Sequence, residues 1–350
     1  MNTEWKTLAE PLLFWFEQVA RPLPWRIDYQ PFQVWISEIM AQQTRMETVV
    51  PYFNRFVAEI PDVAALATVD DDRLLKLWEG LGYYSRARNL KKAALLITEN
   101  FQGQVPQNRV DLESLPGIGP YTAGAILAIA FNQPEPLVDG NIERVFSRLL
   151  DVEDNVKSAT GHGKIKEAVS MLLACGEPRL LGQALMELGA SHCSPKTPDC
   201  AACPLLTFCR SHKAENWAIR PVLPERKKTI KQQKVLCVFE HQGRMFVQPQ
   251  PAGALWAGML LFPMAEAPEA SGELPFWVEN HFGVSGELGD LGKFKYSVTC
   301  YQVQVQAVHI LLEDRPDWEG NWETPEALQA LGLPRPSVKA LELVLRQKSS

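Results

Sequence analysis

The stretch Leu115–Asn141, LPGIGPYTAGAILAIAFNQPEPLVDGN, decides how the fold is read. In Leu115-Pro116-Gly117-Ile118-Gly119, two glycines permit close backbone approach, and a helix opening near Pro120 can aim its free N–H groups at an anion. Such a turn holds a phosphate without reading a base edge. One helix later comes a carboxylate, Asp139. Alone, the turn is equally compatible with an ordinary helix–turn–helix connection, so its neighbours have to decide.

The 350 residues are 46% hydrophobic and 22% charged, a globular composition large enough for two or three cores. The apolar run Leu12–Phe16 is ringed by Glu4, Lys6, Glu10 and Glu17. It therefore reads as an amphipathic helix and not as a secretion signal. No apolar run reaches the roughly 18 residues of a membrane span. A soluble, cytoplasmic protein without membrane contact is expected.

The net charge of −6 is unevenly placed. Residues 1–234 hold 27 acidic and 27 basic side chains, whereas 235–350 hold 14 acidic and 8 basic. Within the first part, Lys196, Arg210, Lys213, Arg220, Arg226, Lys227, Lys228, Lys231 and Lys234 face only Asp199, Glu215 and Glu225. That is a local basic field suited to phosphate, although a solvated linker has the same composition. Apolar residues recur at helical spacing before residue 220, and clean alternation appears after it, as in Tyr301–Val308. The reading is a mainly α domain over 1–220, a linker over 221–234 and an α/β domain over 235–350.

Cys193, Cys200, Cys203 and Cys209 are separated by six, two and five residues. An intracellular chain would use such a group for metal, not for disulfides. Structural zinc usually pairs two short C-x-x-C hooks, and only one is present, so all-thiolate wrapping of an iron–sulfur cluster suits the spacing better.

Together these motifs resemble the MutY family of adenine DNA glycosylases, within the helix–hairpin–helix, endonuclease III-like superfamily. The resemblance runs from about Leu23 to Arg220 and includes LPWR at 23–26, WISEIMAQQTRMETVVPYF at 35–53 and EGLGYYSRARNL at 79–90. It implies a two-lobed α domain with a DNA groove and a base pocket, one 4Fe-4S cluster on the four cysteines, no nucleotide cofactor, and a monomer acting on double-stranded DNA.

Breaking an N-glycosidic bond needs an acid at the leaving base and an anion near the oxocarbenium sugar, the two-carboxylate logic of glycosidases. Glu38 and Asp139 are the pair chosen. Glu38 lies among Val34, Trp35, Ile36, Ile39 and Met40, where desolvation would raise its pKa and keep a proton available. The resemblance implies that Glu38 protonates adenine, that Asp139 stabilises the sugar cation or traps it, and that Asn141 holds these groups. Bifunctional relatives carry a lysine where Tyr121 stands, and tyrosine cannot form an imine, so a monofunctional glycosylase is expected.

The resemblance further places Gln43 and Thr44 in the duplex, Tyr83 beside the lesion partner, and Gly117 and Gly119 at a phosphate. The flipped adenine would meet Arg21, Leu23, Trp25, Arg26 and Gln183, the last through a bidentate amide pair. Arg86 and Arg88 are read as phosphate contacts or plain surface residues. The C-terminal domain resembles a MutT-like (Nudix) module at Ala254–Pro263. Glu266, Glu269, Glu273 and Glu279 after it lack a catalytic metal-binding pattern, so it reads as a lesion-recognition domain. Tyr296, Ser297 and Val298 stand at the family's Phe-Ser-His loop, with the imidazole replaced. The expected substrate is adenine opposite 8-oxoguanine or guanine. The alternatives are a thymine or uracil mismatch glycosylase and a non-catalytic DNA-binding relative.

Overall fold

The computed structural model describes residues 2–225, 229–251, 254–268, 274–298 and 300–348. Two compact units emerge: residues 1–69 with 85–225, and residues 70–84 with 226–350. Among the described residues no helix is long and apolar enough to cross a membrane.

The first unit is helical: α1 (Asn2–Val19), α2 (Pro31–Ala41), α3 (Met46–Glu59) and α4 (Val63–Thr68) precede the excursion α5 (Asp71–Trp78). It resumes with α6 (Ser85–Asn100), α7 (Arg109–Ser114), α8 (Pro120–Ile129), α9 (Gly140–Leu150), α10 (Ala159–Leu173), α11 (Pro178–Ser191) and α12 (Arg210–Lys213). Local chemistry starts these helices. Asp62, Asp70, Asn108, Asp139 and Ser158 each accept backbone N–H bonds as N-caps, while Pro31, Pro120 and Pro178 occupy first turns. The helix α2 is buried from Phe32 to Met40 apart from Gln33, and packs on α8, which packs on α11, which packs on α9. Those three contacts converge on one site.

In the second unit, β1 (Ile230–His241), β2 (Arg244–Pro249), β3 (Leu260–Leu261), β4 (Met264–Glu266), β5 (Glu287–Val298), β6 (Tyr301–Leu311) and β7 (Asn321–Glu323) form a sheet with spine order β3-β2-β1-β6-β5. The pair β1–β6 is parallel and the others antiparallel. Alternation along β1 sends Leu236 and Val238 to one core and Val235, Cys237 and Phe239 to the other. The first core takes α14 (Pro325–Ala330) and α15 (Arg335–Lys348) through Leu328, Leu341 and Val344, and the second takes α13 (Leu274–Phe282) through Leu274 and Val278. The result is an α/β/α layering.

Two boundaries differ from the expectation. The stretch 221–234 is not all linker, because β1 begins at Ile230, where pairing with Tyr301–Val305 supplies the backbone hydrogen bonds that a loop would leave to water. Asp70–Tyr84 compacts with the second unit although it interrupts the first in sequence. The basic zone is also thinner than its sequence. Arg220 is 7% exposed and paired with Asp151 at 2.7 Å, and Lys234 meets Glu266 at 3.4 Å. Arg226, Lys227 and Lys228, like Glu269 and Glu273, lie outside the described residues.

Candidate active site

The helical unit holds a cleft of about 680 Å³, the size range of sites for small organic groups. Glu38, Tyr121, Asp139 and Asn141 line it. So do Arg21, Leu23, Trp25, Arg26 and Gln183, together with Gln43 and Thr44 from the turn after α2. Residues spread over more than 160 positions of sequence thus share one wall.

Glu38 is 7% exposed on the buried helix α2, and loss of water pushes its carboxyl up to about 7. A hydrogen bond from Tyr121 opposes the rise and the neighbouring Asp139 adds to it. The Tyr121 hydroxyl donates to Glu38 Oε2 at 2.7 Å and lies 3.5 Å from Met186 Sδ. Burial first, and the two carboxylates next, hold the phenol well above its usual value, so it remains a donor.

Asp139 is the N-cap of α9. Its Oδ1 accepts the N–H groups of Asn141 (2.9 Å) and Ile142 (2.8 Å), and its Oδ2 accepts Asn141 Nδ2 (2.9 Å). Burial pushes this carboxyl up as well, but the three hydrogen bonds oppose burial, and a helix N-terminus favours the anion. Asp139 is therefore pinned in place as an acceptor in the same cleft as Glu38. Mid-helix Gly124 is required for this placement, since a Cβ there would stand 2.1 Å from the Pro136 carbonyl oxygen. The segment leading to Asp139 can lie on α8 only because that side chain is missing.

The hairpin itself has Gly117 at φ 83°, and a Cβ at this position would stand 2.9 Å from Asn89 Cβ. Gly119 caps α8 with no side-chain hydrogen bond. Gly117 thus needs to be glycine, whereas Gly119 is in extended backbone with open space where a Cβ would stand.

Two side chains behave differently from their sequence reading, and a third had none. Gln183 is 1% exposed and its Nε2 donates to the Arg179 carbonyl at 3.0 Å and to the Tyr29 hydroxyl at 3.4 Å, so the amide nitrogen is engaged within the protein and not preset for a bidentate pair. Arg86 is 8% exposed and its Nη1 donates to the carbonyls of Ile39, Met40 and Gln42, closing the C-terminal end of α2 instead of reaching solvent or phosphate. Glu187 went unnoticed in sequence, yet it lines the cleft, is 4% exposed, and accepts from Arg21 Nε and, at 3.1 Å, from Arg26 Nη2. Its signal was its spacing, one helical turn after Gln183 on the same face.

The four cysteines line a common cavity beneath α9 and α11. Among the described residues no group of three or more His, Cys, Asp or Glu side chains closes on a single ion. Four thiols around one cavity supply an all-thiolate donor set that could hold a metal group. Arg148 Nη1 donates to Cys193 Sγ at 3.4 Å and to the Ser194 carbonyl at 2.7 Å. Arg144 donates from Nε to the Cys193 carbonyl (2.7 Å) and from Nη2 to Asn141 Oδ1 (2.8 Å) and the Gly189 carbonyl (2.7 Å). A hydrogen-bonded chain Asp139–Asn141–Arg144–Cys193 therefore joins the carboxylate to the cysteine loop.

In the second unit, Tyr83 has φ 46° and is 44% exposed. Tyr296 and Ser297 occupy successive positions at the end of β5, so they face opposite sides of the sheet. The Tyr296 ring packs 5.8 Å from Trp256 with its hydroxyl 3.9 Å from Met264 Sδ, and burial pushes the phenol up to about 12. Ser297 is exposed, so of the two only the serine hydroxyl faces out.

Residues 36–169 match the HhH-GPD superfamily of base excision DNA repair proteins, and residues 234–343 match the NUDIX domain. An adenine DNA glycosylase of Buchnera aphidicola subsp. Schizaphis graminum is 29% identical over 342 residues, 96% of this chain and 98% of its own. The rat adenine DNA glycosylase is 39% identical over 211 residues, 58% of this chain and 41% of its own. Among solved structures, a thermostable thymine-DNA glycosylase superposes with a TM-score of 0.56 at 26% identity, covering 61% of this chain and 98% of that one. Endonuclease III in a trapped covalent complex with DNA shares the fold at a TM-score of 0.52 and 24% identity, over 61% of this chain and 98% of its own. The chain belongs to the MutY family of helix–hairpin–helix DNA glycosylases.

Proposed function

We propose that the protein is a monofunctional adenine DNA glycosylase that removes adenine paired with 8-oxoguanine, or with guanine, from double-stranded DNA. The observation that carries this reading is the buried Glu38 carboxyl, pushed up to about 7, in the same cleft as an Asp139 held by three hydrogen bonds. The flipped adenine enters the cleft, and neutral Glu38 donates its proton to the base as the bond to C1′ breaks. The electron pair leaves with the purine, and Asp139 stabilises the positive charge left on the sugar. Carboxylate Glu38 then accepts a proton from the water that adds to C1′, leaving an abasic site and free adenine. Tyr121 keeps Glu38 oriented and offers no amine for strand cleavage.

Adenine is favoured over thymine by extent of likeness. The thymine-DNA glycosylase matches 61% of the chain, whereas an adenine glycosylase matches 96%, sheet domain included. Gln43, Thr44, Gly117 and Gly119 are assigned to the duplex, Arg21, Leu23, Trp25, Arg26, Gln183 and Glu187 to the base, and Tyr83 with Ser297 to its partner. Cys193, Cys200, Cys203 and Cys209 would hold a 4Fe-4S cluster, which supplies a rigid cross-link for the loop that Arg144 and Arg148 already brace. The protein acts as a cytoplasmic monomer. Incubation with duplexes carrying each mismatch, scored with and without alkali, tests this: adenine release with nicking only after alkali is expected. Release of thymine or uracil, or prompt nicking without alkali, would contradict it.

A further inference from the structure

The turn that carries Tyr83 is built into the sheet domain. After α5, the Leu81 N–H donates to the Trp78 carbonyl at 3.1 Å, and Trp78 Nε1 donates to the Gly82 carbonyl at 3.1 Å, which closes the loop on its own helix. Gly80, Gly82 and Tyr83 all have positive φ, of 99°, 71° and 46°. A non-glycine residue holds such a conformation only where its surroundings over-determine it.

Residues on both sides of this turn are held by the far end of the chain. The Tyr84 hydroxyl donates to the Leu333 carbonyl at 3.0 Å in a buried bond. Lys76 Nζ donates to the Gln329 carbonyl and to Glu79 Oε2, each at 2.5 Å. A Cβ on Gly332 would stand 2.8 Å from the carbonyl carbon and Cβ of Leu75, so only glycine lets the two backbones come this close. Leu333 is 2% exposed in the same core as Leu328 and Leu341. The seat for α5 is therefore anchored in the sheet domain's core.

We infer that Gly332 and Tyr84 are specificity-determining positioning residues: through them the segment Gln329–Leu333 sets the turn 79–84, and hence the placement of Tyr83 against the base opposite the target adenine. The inference rests on the lesion-partner reading above. Gly332→Val drives a side chain into Leu75, and Tyr84→Phe removes one buried hydrogen bond with little change of shape.

Both variants are made in the full chain and measured by single-turnover excision of adenine opposite 8-oxoguanine and opposite guanine. The 8-oxoguanine-to-guanine rate ratio is expected to fall at least fivefold in Gly332→Val and about twofold in Tyr84→Phe, with the rate opposite guanine within twofold of the parent. In a Tyr83→Ala background, Gly332→Val should leave the ratio unaltered, since the group it positions is gone. Backbone hydrogen exchange across 79–84 should accelerate in both variants. An unchanged ratio, an equal loss on both substrates, a further drop in the Tyr83→Ala background, or unchanged exchange would each overturn the inference. Should Gly332→Val fail to fold, Tyr84→Phe carries the same comparisons. A parent protein without preference for 8-oxoguanine defeats the lesion reading instead, and exchange across 79–84 still decides whether the seat holds the turn.

Discussion

The Tyr121 hydroxyl reaches Glu38 Oε2 at 2.7 Å across 83 positions of sequence, tying the first turn of the hairpin helix to the acid on α2. The contact stabilises the ionised form of Glu38, against the stronger effect of burial. It places a permanent donor where a lysine would change the reaction.

Excision should therefore require protonated Glu38. The single-turnover rate is expected to decline about tenfold per pH unit above an apparent pKa near 7. A profile flat from pH 6 to 9 would contradict that role.

Tyr121→Phe removes the hydrogen bond that lowers the Glu38 pKa, so the alkaline limb should move upward in pH. Its maximal rate should fall about tenfold, the order of one lost hydrogen bond to a charged group. A shift of the limb toward lower pH would show that the hydroxyl does not act through Glu38.

Glu38 also imposes a stability cost with a defined sign. Its folded pKa of about 7 exceeds the ordinary glutamate value of 4.5, so its favourable contribution is full below 4.5 and is lost as pH rises through 7. Glu38→Gln should thus be more stable than the parent at pH 8, by up to roughly 3 kcal/mol, and nearly equal at pH 4.5. Thermal unfolding at the two pH values measures it.

Arg144→Ala should uncouple the cysteine loop from the carboxylate, because Arg144 bonds Asn141 Oδ1, the Gly189 carbonyl and the Cys193 carbonyl. Loss of charged hydrogen bonds of about 1.5–3 kcal/mol each predicts at least a tenfold slower excision and lower bound iron per chain. Iron content and single-turnover rate, measured on one preparation, test both.

Much of this site was legible in the sequence because its signals are local. The glycine turn, the Asp139 carboxylate one helix later, an isolated glutamate in an apolar helix and the cysteine spacing are each readable within about twenty residues. The alternation of β6 was equally plain. What escaped depends on distant partners. Glu187 is recognisable only once α11 brings it to Arg21 and Arg26, and Arg86 looks like a surface cation until α2 ends against it. The attachment of Asp70–Tyr84 to the sheet domain needs Gly332 and Leu333, some 250 residues away. Tyr296 turns inward because strand alternation leaves only one of two neighbours facing out, and a motif position does not say which.

The most direct measurement is the single-turnover release of adenine from a duplex with adenine opposite 8-oxoguanine, comparing the parent with Glu38→Gln from pH 6 to 9. The account predicts a parent rate that falls above pH 7 and a variant at least a thousandfold slower at pH 6, within the range expected for general acid catalysis. A variant that releases adenine at the parent's rate would contradict it.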